Sequence, residues 1–294
     1  MILSLITNDL AVVRKAEGAG VERILIDLER RGKAARQVGR SLFLSTHEME
    51  DVRRVRSALR QSQLTVRIDP LHARSQEQID RAIDYGADFI VLPFFESLQD
   101  AAEFVAMLAG RAAAILLVES ASAAHIIGEL CRLPGVAEIH IGLNDLSISL
   151  GLHSWFELMT SSILEELCAT MRASKMPFGF GGIGSLSRHD LPLSPELVLA
   201  EQLCQGATRG WLSRTFRELA LEDMAGEVQR VRDAIARWKS ADAGTRARMR
   251  VQLSQEACSA QQTSATFTAR NFEAVDRKLF RRASPPSRQP DNSA

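Results

Sequence analysis

Charge of one sign is the first thing missing from this 294-residue chain. Lys+Arg and Asp+Glu are both 36, so no bulk field draws it to nucleic acid or to an anionic membrane, and affinity for either would need a local patch. Cysteine is scarce too. Cys131, Cys168, Cys204 and Cys258 are far apart, form no C-x-x-C pair and suggest no disulfide framework, so they read as buried or idle thiols in a reducing compartment. Lysine is confined to Lys15, Lys33, Lys175, Lys239 and Lys278. None lies in an apolar strand where burial would lower its pKa, which argues against a Schiff-base enzyme and leaves Lys33 as the one marginal candidate. No G-x-S-x-G elbow supports serine hydrolysis. No apolar run approaches the ~20 residues of a membrane helix. The N-terminal stretch lacks a basic region and a small-residue cleavage site, and a cytoplasmic protein is expected.

What is present is an ordinary globular composition, 46% hydrophobic and 24% charged, with enough apolar surface to bury a core. Short apolar runs recur at Ile2–Ile6, Arg23–Leu28, Leu64–Ile68, Phe89–Pro93, Ala114–Val118, Glu138–Ile141, Phe178–Phe180 and Trp211–Leu212. They are rich in Ile, Leu and Val without polar alternation, as strands buried on both faces of a parallel sheet are. Helix starts fall between them: capping boxes are expected at Ser45–Glu48 and Ser75–Gln78, Ser97 precedes Asp100 by three, and Ser194-Pro195 is a cap followed by Pro in the first turn. Eight βα units are complete by about Trp238, and the fold expected is a (β/α)8 TIM barrel over 1–238. One or two peripheral helices over 239–282 and a disordered tail over 283–294 follow from the polar composition there.

Gly179-Phe180-Gly181-Gly182-Ile183-Gly184 matches G-x-G-x-x-G literally, which admits a dinucleotide fold. It lies at the seventh unit rather than the first, no helix opens directly after it, and no acidic residue follows about 20 positions later. The preferred reading is a glycine-rich strand exit that lets backbone or ligand approach closely.

Barrel sites form at the C-terminal ends of strands, so the candidates are the polar residues that end each run. They are Thr7, Asn8, Asp9, Asp27, Glu29, Arg67, Asp69, Glu119, Asn144, Asp145 and Arg214. Glu119 directly follows Ile115-Leu116-Leu117-Val118 and Asp145 follows Ile139-His140-Ile141-Gly142, so two carboxylates converge on adjacent, wet strand ends. Such a pair asks for a cation or a shared proton, while the plainer alternative has each acid capping a helix or pairing with an arginine.

Ile24-Leu25-Ile26-Asp27-Leu28-Glu29, Val66-Arg67-Ile68, Val91-Leu92-Pro93, Leu117-Val118-Glu119 and above all Ile141-Gly142-Leu143-Asn144-Asp145-Leu146-Ser147-Ile148-Ser149-Leu150-Gly151 resemble the signature set of the hydroxy-oxo-acid aldolase and citrate lyase beta-subunit superfamily, the HpcH/HpaI-type aldolases. The likeness runs in consistent order over 1–220. It implies that Glu119 and Asp145 ligate Mg²⁺ or Mn²⁺, with water and a 2-keto acid completing an octahedron. It further implies that Arg67 faces the keto oxygen, that Glu29 orients a metal-bound water, and that the backbone around Leu143, Asn144 and Asp145 holds the substrate carboxylate. The reaction implied is aldol cleavage or formation of a 4-hydroxy-2-keto acid, with an aldehyde as the second partner and a trimer or hexamer as the assembly.

The chain departs from that pattern at Arg30, where many aldolases of the superfamily have a general-base histidine. His47 and His72 are the nearest imidazoles able to relay a proton, and His47 is the expected catalytic one. His125, His140, His153 and His189 are weaker candidates, His140 pointing away from the pocket or packing between layers. Two other readings stay open: an acyl-CoA lyase of citryl or malyl type, and a barrel without turnover that serves as a binding protein. Phe267, Phe272, Val275, Leu279 and Phe280 form an apolar stripe in the extension that should dock on its own barrel or on a neighbour's.

Overall fold

The computed structural model describes residues 1–32 and 45–280. Its strands are β1 Ile2–Ile6, β2 Arg23–Asp27, β3 Gln63–Arg67, β4 Phe89–Leu92, β5 Ala113–Val118, β6 Val136–Ile141, β7 Phe178–Phe180 and β8 Arg209–Leu212. Paired strands are parallel, in the order β7-β6-β5-β4-β3-β2-β1-β8. The remaining seam is drawn together by Thr208 N–H to the Phe178 carbonyl (2.8 Å), Ile183 N–H to the Trp211 carbonyl (2.7 Å) and an Ile183–Leu212 bridge. The result is a nearly closed (β/α)8 barrel, in which closure leaves no long exposed edge.

Alternation along each strand sorts its apolar residues into two cores. Ile90, Leu92, Leu116, Val118, Ile139 and Ile141 join the large core under the helices. Phe89, Val91, Ile115 and Leu117 form a separate cluster around the barrel axis, with Trp211 against it. The inner cluster is small because polar residues fill much of the lumen. Near its lower end Glu138 takes both Nη1 (2.7 Å) and Nη2 (2.8 Å) of Arg23 and approaches Arg209 Nε at 2.8 Å, while Arg23 lies 3.8 Å over the Phe89 ring. Above them His140 stacks on Trp211 with ring centroids 4.0 Å apart and donates from Nε2 to the Gly181 carbonyl at 3.0 Å. Burial pushes the His140 pKa down to about 4, so the ring is neutral at neutral pH.

The helices are α1 Leu10–Gly18, α2 Met49–Ala58, α3 Ser75–Asp84, α4 Leu98–Leu108, α5 Ala121–His125, α6 Ile127–Leu130, α7 Leu143–Ser149, α8 Trp155–Met159, α9 Ser162–Ala173, α10 Pro195–Cys204, α11 Arg214–Lys239, broken at Asp223, and α12 Ala243–Phe280. The Ser97/Asp100 box forms and Pro195 sits in the first turn of α10, but Ser194 makes no side-chain cap. The other two boxes do not form where expected. Helix α2 starts at Met49 with a Glu48/Asp51 box, because Ser45 Oγ instead accepts the His47 N–H and closes a turn ahead of the helix. Ser75 is already helical, and its hydroxyl accepts the His72 N–H.

Helix α12 is the C-terminal extension. Its early turns dock on this barrel through buried Met249, Leu253 and Ala257, with Arg250 Nε 3.1 Å from Glu201 and Glu256 accepting the Ser194 N–H at 2.9 Å. Lys33, the 283–294 tail and the side chains of Arg214 and of the Phe267–Phe280 stripe lie outside the described residues. Among the described residues no helix is long and apolar enough to cross a membrane.

Candidate active site

The parallel register of β2 and β3 sets Asp27 directly beside Arg67 at the strand ends. The carboxylate grips the guanidinium at two points, Nε to Oδ1 at 2.8 Å and Nη2 to Oδ2 at 2.6 Å. Glu29, 1% exposed, brings Oε2 to 3.5 Å from Nη1. Burial by itself lowers the pKa of Arg67, but the carboxylates of Asp27, Glu29 and Glu119 outweigh it and hold the guanidinium firmly charged. The pairing available to a strand-end arginine is thus present, and it fixes the fork in place.

Glu119 ends β5 and crosses to the end of β6. Its side chain lies so close over Gly142 that a Cβ at that position would sit 2.5 Å from Glu119 Cγ and 2.6 Å from Oε1. The other oxygen, Oε2, accepts the Phe94 N–H at 3.3 Å. Asp145 lies in the first turn of α7, which follows Gly142, and its Oδ1 accepts from Asn144 Nδ2 at 3.1 Å. The two acids therefore lie at the ends of the adjacent strands β5 and β6. They are not wet: Glu119 is 6% and Asp145 5% exposed, because the loop after β4 and helix α7 fold over them.

His47 is buried against β2, its Nδ1 accepting the Asp27 N–H at 3.0 Å. A neutral ring with Nδ1 so engaged carries its proton on Nε2. Arg30 does not enter as an imidazole substitute; its Nη2 donates to the His47 carbonyl at 3.0 Å. His72 lies on the far side, in the loop after β3, its Nδ1 accepting the Arg74 N–H at 3.1 Å. Leu143 is buried at the start of α7, and a Cβ on Gly181 would meet its Cδ1 at 2.8 Å. A Cβ on Gly179 would stand 2.4 Å from the Arg209 carbonyl oxygen and 2.8 Å from His140 Nδ1. Close approach thus explains Gly179 and Gly181 of the strand-seven exit.

Two residues of the site are given no role in the reading from sequence. Asp27 was visible only as one strand-end acid among several, and its grip on Arg67 needs the register of two strands. Phe94 has a φ of +36°, a left-handed backbone that turns its N–H to Glu119, and nothing about a phenylalanine after a proline announces that.

The donor set suits a hard divalent cation. Among the described residues no group of three or more His, Cys, Asp or Glu is arranged to hold a metal, and the acids at the ends of β5 and β6 are the two carboxylates Glu119 and Asp145. Mg²⁺ in particular keeps several waters and is held through one or two carboxylates. The cradle over Gly142, which has room for the Glu119 carboxylate only in the absence of a Cβ, fits such a ligand.

A family model described as HpcH/HpaI aldolase/citrate lyase matches residues 2–177. A search of curated proteins by sequence gives no significant match. Among solved structures, an HpcH/HpaI aldolase/citrate lyase family protein from Burkholderia cenocepacia J2315 superposes with a TM-score of 0.58 at 17% identity, covering 78% of this chain and 94% of that one. An HpcH/HpaI aldolase from Desulfitobacterium hafniense DCB-2 gives 0.53 at 13% identity, covering 82% and 94%. Macrophomate synthase gives 0.52 at 13%, covering 81% and 85%. At these identities the structural likenesses speak for the barrel alone.

Proposed function

The chain belongs to the HpcH/HpaI aldolase/citrate lyase family, and from that premise we propose that it is a divalent-metal-dependent carbon–carbon lyase, cleaving or forming a 4-hydroxy-2-keto acid by way of a pyruvate-like enolate. The observation that carries the reading is the carboxylate pair Glu119 and Asp145 at adjacent strand ends, beside a guanidinium held charged by Asp27 and Glu29.

Glu119 and Asp145 would hold Mg²⁺ or Mn²⁺, which as a Lewis acid supplies charge stabilisation at the keto oxygen. Arg67, its fork immobilised on Asp27, adds a preorganised positive charge to the same developing oxyanion and needs little reorganisation to do so. The backbone N–H groups of Leu143, Asn144 and Asp145 would take the substrate carboxylate, since α7 has no side chain capping its first turn. Glu29, against Arg67, would orient the water that carries a proton. His47, protonated on Nε2, would donate to the aldehyde oxygen in the condensation direction.

Pyruvate release from a panel of 4-hydroxy-2-keto acids, measured with and without EDTA, tests this reading. Activity should vanish on chelation and return with Mg²⁺ or Mn²⁺; activity indifferent to EDTA would overturn it. Cleavage of acyl-CoA substrates in place of keto acids would move the chain to the citryl or malyl type of lyase, and calorimetry showing no binding of either Mn²⁺ or pyruvate would make it a binding protein.

A further inference from the structure

Strand β7 is not laddered to β8 along its whole length. After Thr208 N–H takes the Phe178 carbonyl, the next backbone bond across the seam among the described residues is Ile183 N–H to the Trp211 carbonyl. Between them the carbonyls of Phe180 and Gly181 are taken by side chains instead. Gln202, buried on α10, donates to Phe180 at 2.7 Å from the helix side. His140, buried in the lumen, donates from Nε2 to Gly181 at 3.0 Å. A carbonyl only accepts, so Nε2 carries the proton. A buried carbonyl without a donor is unfavourable, and each of these side chains therefore fixes backbone that no strand neighbour fixes.

On the lumen side the fit is built around His140. Phe178 and Phe180 belong to the outer core, so Gly179 and Gly181 face inward. His140 of β6 and Trp211 of β8 stack there with their ring planes 10° apart. A Cβ at Gly179 would stand 2.8 Å from His140 Nδ1, so the ring fills space that only glycine leaves. Burial, with the Arg67 charge adding to it, keeps that ring neutral. It therefore has a single N–H, and that one is spent on Gly181.

Gly181 is in turn the seat of Leu143. Its φ of +58° turns the chain out of the strand, and its own N–H is held by the Ile141 carbonyl at 3.0 Å. A Cβ on it would meet Leu143 Cδ1 at 2.8 Å, so the backbone packs directly against that side chain. Leu143 is the first residue of α7 and Asp145 the third. An unbroken series of contacts thus runs from the lumen to the acid: a hydrogen bond from His140 to Gly181, close packing of Gly181 on Leu143, and the first turn of the helix to Asp145.

We propose that His140 is a positioning residue of the site: stacked on Trp211, it holds the Gly181 carbonyl and so fixes the seat of Leu143, which sets the aim of Asp145 and of the N–H groups that open α7. The proposal rests on the aldolase reading above for what Asp145 and those N–H groups bind.

Three variants of the full-length protein test it. His140→Leu removes the donor, His140→Phe keeps an aromatic ring against Trp211 without the N–H, and His140→Gln restores a donor through its amide. Hydrogen exchange by mass spectrometry over 142–148, measured against 10–18 of α1, reads the seat without reference to activity. Calorimetry with Mn²⁺ and then pyruvate reads the site. In the leucine and phenylalanine variants exchange over 142–148 should quicken roughly tenfold and Mn²⁺ should bind roughly tenfold more weakly, and glutamine should bring both to within about threefold of wild type. A residue that only supports the fold would lower the melting temperature and leave local exchange and Mn²⁺ affinity where they were; that result in a folded leucine or phenylalanine variant would overturn the proposal. Quickened exchange with rescue by glutamine, in a protein that binds neither Mn²⁺ nor pyruvate, would uphold the seat and defeat the aldolase reading. Mn²⁺-dependent cleavage of a 4-hydroxy-2-keto acid with kcat and KM unchanged in all three variants would defeat the positioning role and leave that reading standing. Should the leucine and phenylalanine variants both unfold, Gly181→Ala displaces Leu143 with His140 intact, and the same loss of Mn²⁺ affinity is expected.

Discussion

At the scale of single residues, Arg67 decides most about how the site behaves. Its planar fork meets Asp27 at 2.8 and 2.6 Å, a two-point contact that an ammonium on a flexible stem cannot copy. Arg67→Lys should accordingly be nearly as damaging as Arg67→Ala, with a rate loss of roughly 10²–10³ for removing one preorganised donor from an oxyanion. Steady-state kinetics of the two variants checks this, and near-wild-type turnover of the lysine variant would reduce Arg67 to a structural ion-pair partner. The alanine variant should also lose stability, by about 3–5 kcal/mol, because Asp27 and Glu29 are left buried without their cation. For the carboxylates, Glu119→Gln and Asp145→Asn should abolish metal-dependent turnover while the protein stays folded, since each amide keeps the shape of a buried side chain. Calorimetric Mn²⁺ binding together with thermal unfolding separates lost ligation from lost folding; a variant that keeps both metal affinity and rate defeats the paired-ligand idea.

Elements place those residues by packing against one another. The approach of the β5 end to the β6 end is so tight that Gly142→Ala should displace Glu119, although the backbone at Gly142, with φ −84°, accepts alanine without strain. Metal affinity and kcat should both fall about tenfold or more in that variant, with far-UV circular dichroism unchanged; full activity would mean that the Glu119 position is not critical.

The stacking of His140 of β6 on Trp211 of β8 makes a different prediction, about pH. The His140 pKa is about 4 in the fold against an ordinary 6.5, so the unfolded chain binds more protons between those values. The sign follows: the contribution is fully present above pH 6.5 and is lost as pH falls through 4, on the order of 3 kcal/mol in all. Urea unfolding from pH 4 to 7 should show that slope in wild type and a shallower one in His140→Gln, whose amide can still donate to the Gly181 carbonyl. Identical slopes would assign the pH dependence to other groups.

On the scale of the whole molecule, the barrel is finished before the chain is, and α12 continues to Phe280. Its early turns cover this chain's own α8 and α10, so the docking of the extension on its own barrel is visible for Met249, Leu253 and Ala257. The apolar stripe from Phe267 to Phe280 lies outside the described side chains, and we propose that a neighbouring copy of the chain, rather than this barrel, covers it. Deletion of 262–294 should lower the mass measured by light scattering and reduce activity; an unchanged oligomer with unchanged activity would show that the tail neither assembles the protein nor closes its site.

The sequence by itself determined the periodic part of this protein. Eight apolar runs without polar alternation can be buried only as parallel strands, and the residue that ends each run must sit at the barrel face where chemistry happens, which is why Glu119, Asp145, Arg67 and Glu29 were legible one by one. Tertiary structure decided how they are coupled. The Asp27 grip on Arg67 depends on strand register, the Glu119 cradle on the missing Cβ of Gly142, and the Phe94 N–H on a left-handed turn imposed by its surroundings. Burial of the carboxylates, the tautomer of His47 and the failed boxes at Ser45 and Ser75 belong to the same class, since each turns on a partner distant in sequence or on a competing local turn. Local pattern fixes which residues reach the barrel face, because side-chain periodicity is a property of the strand; contacts across strands fix their charge, proton position and aim, because those depend on neighbours that only the closed barrel brings within about 3 Å.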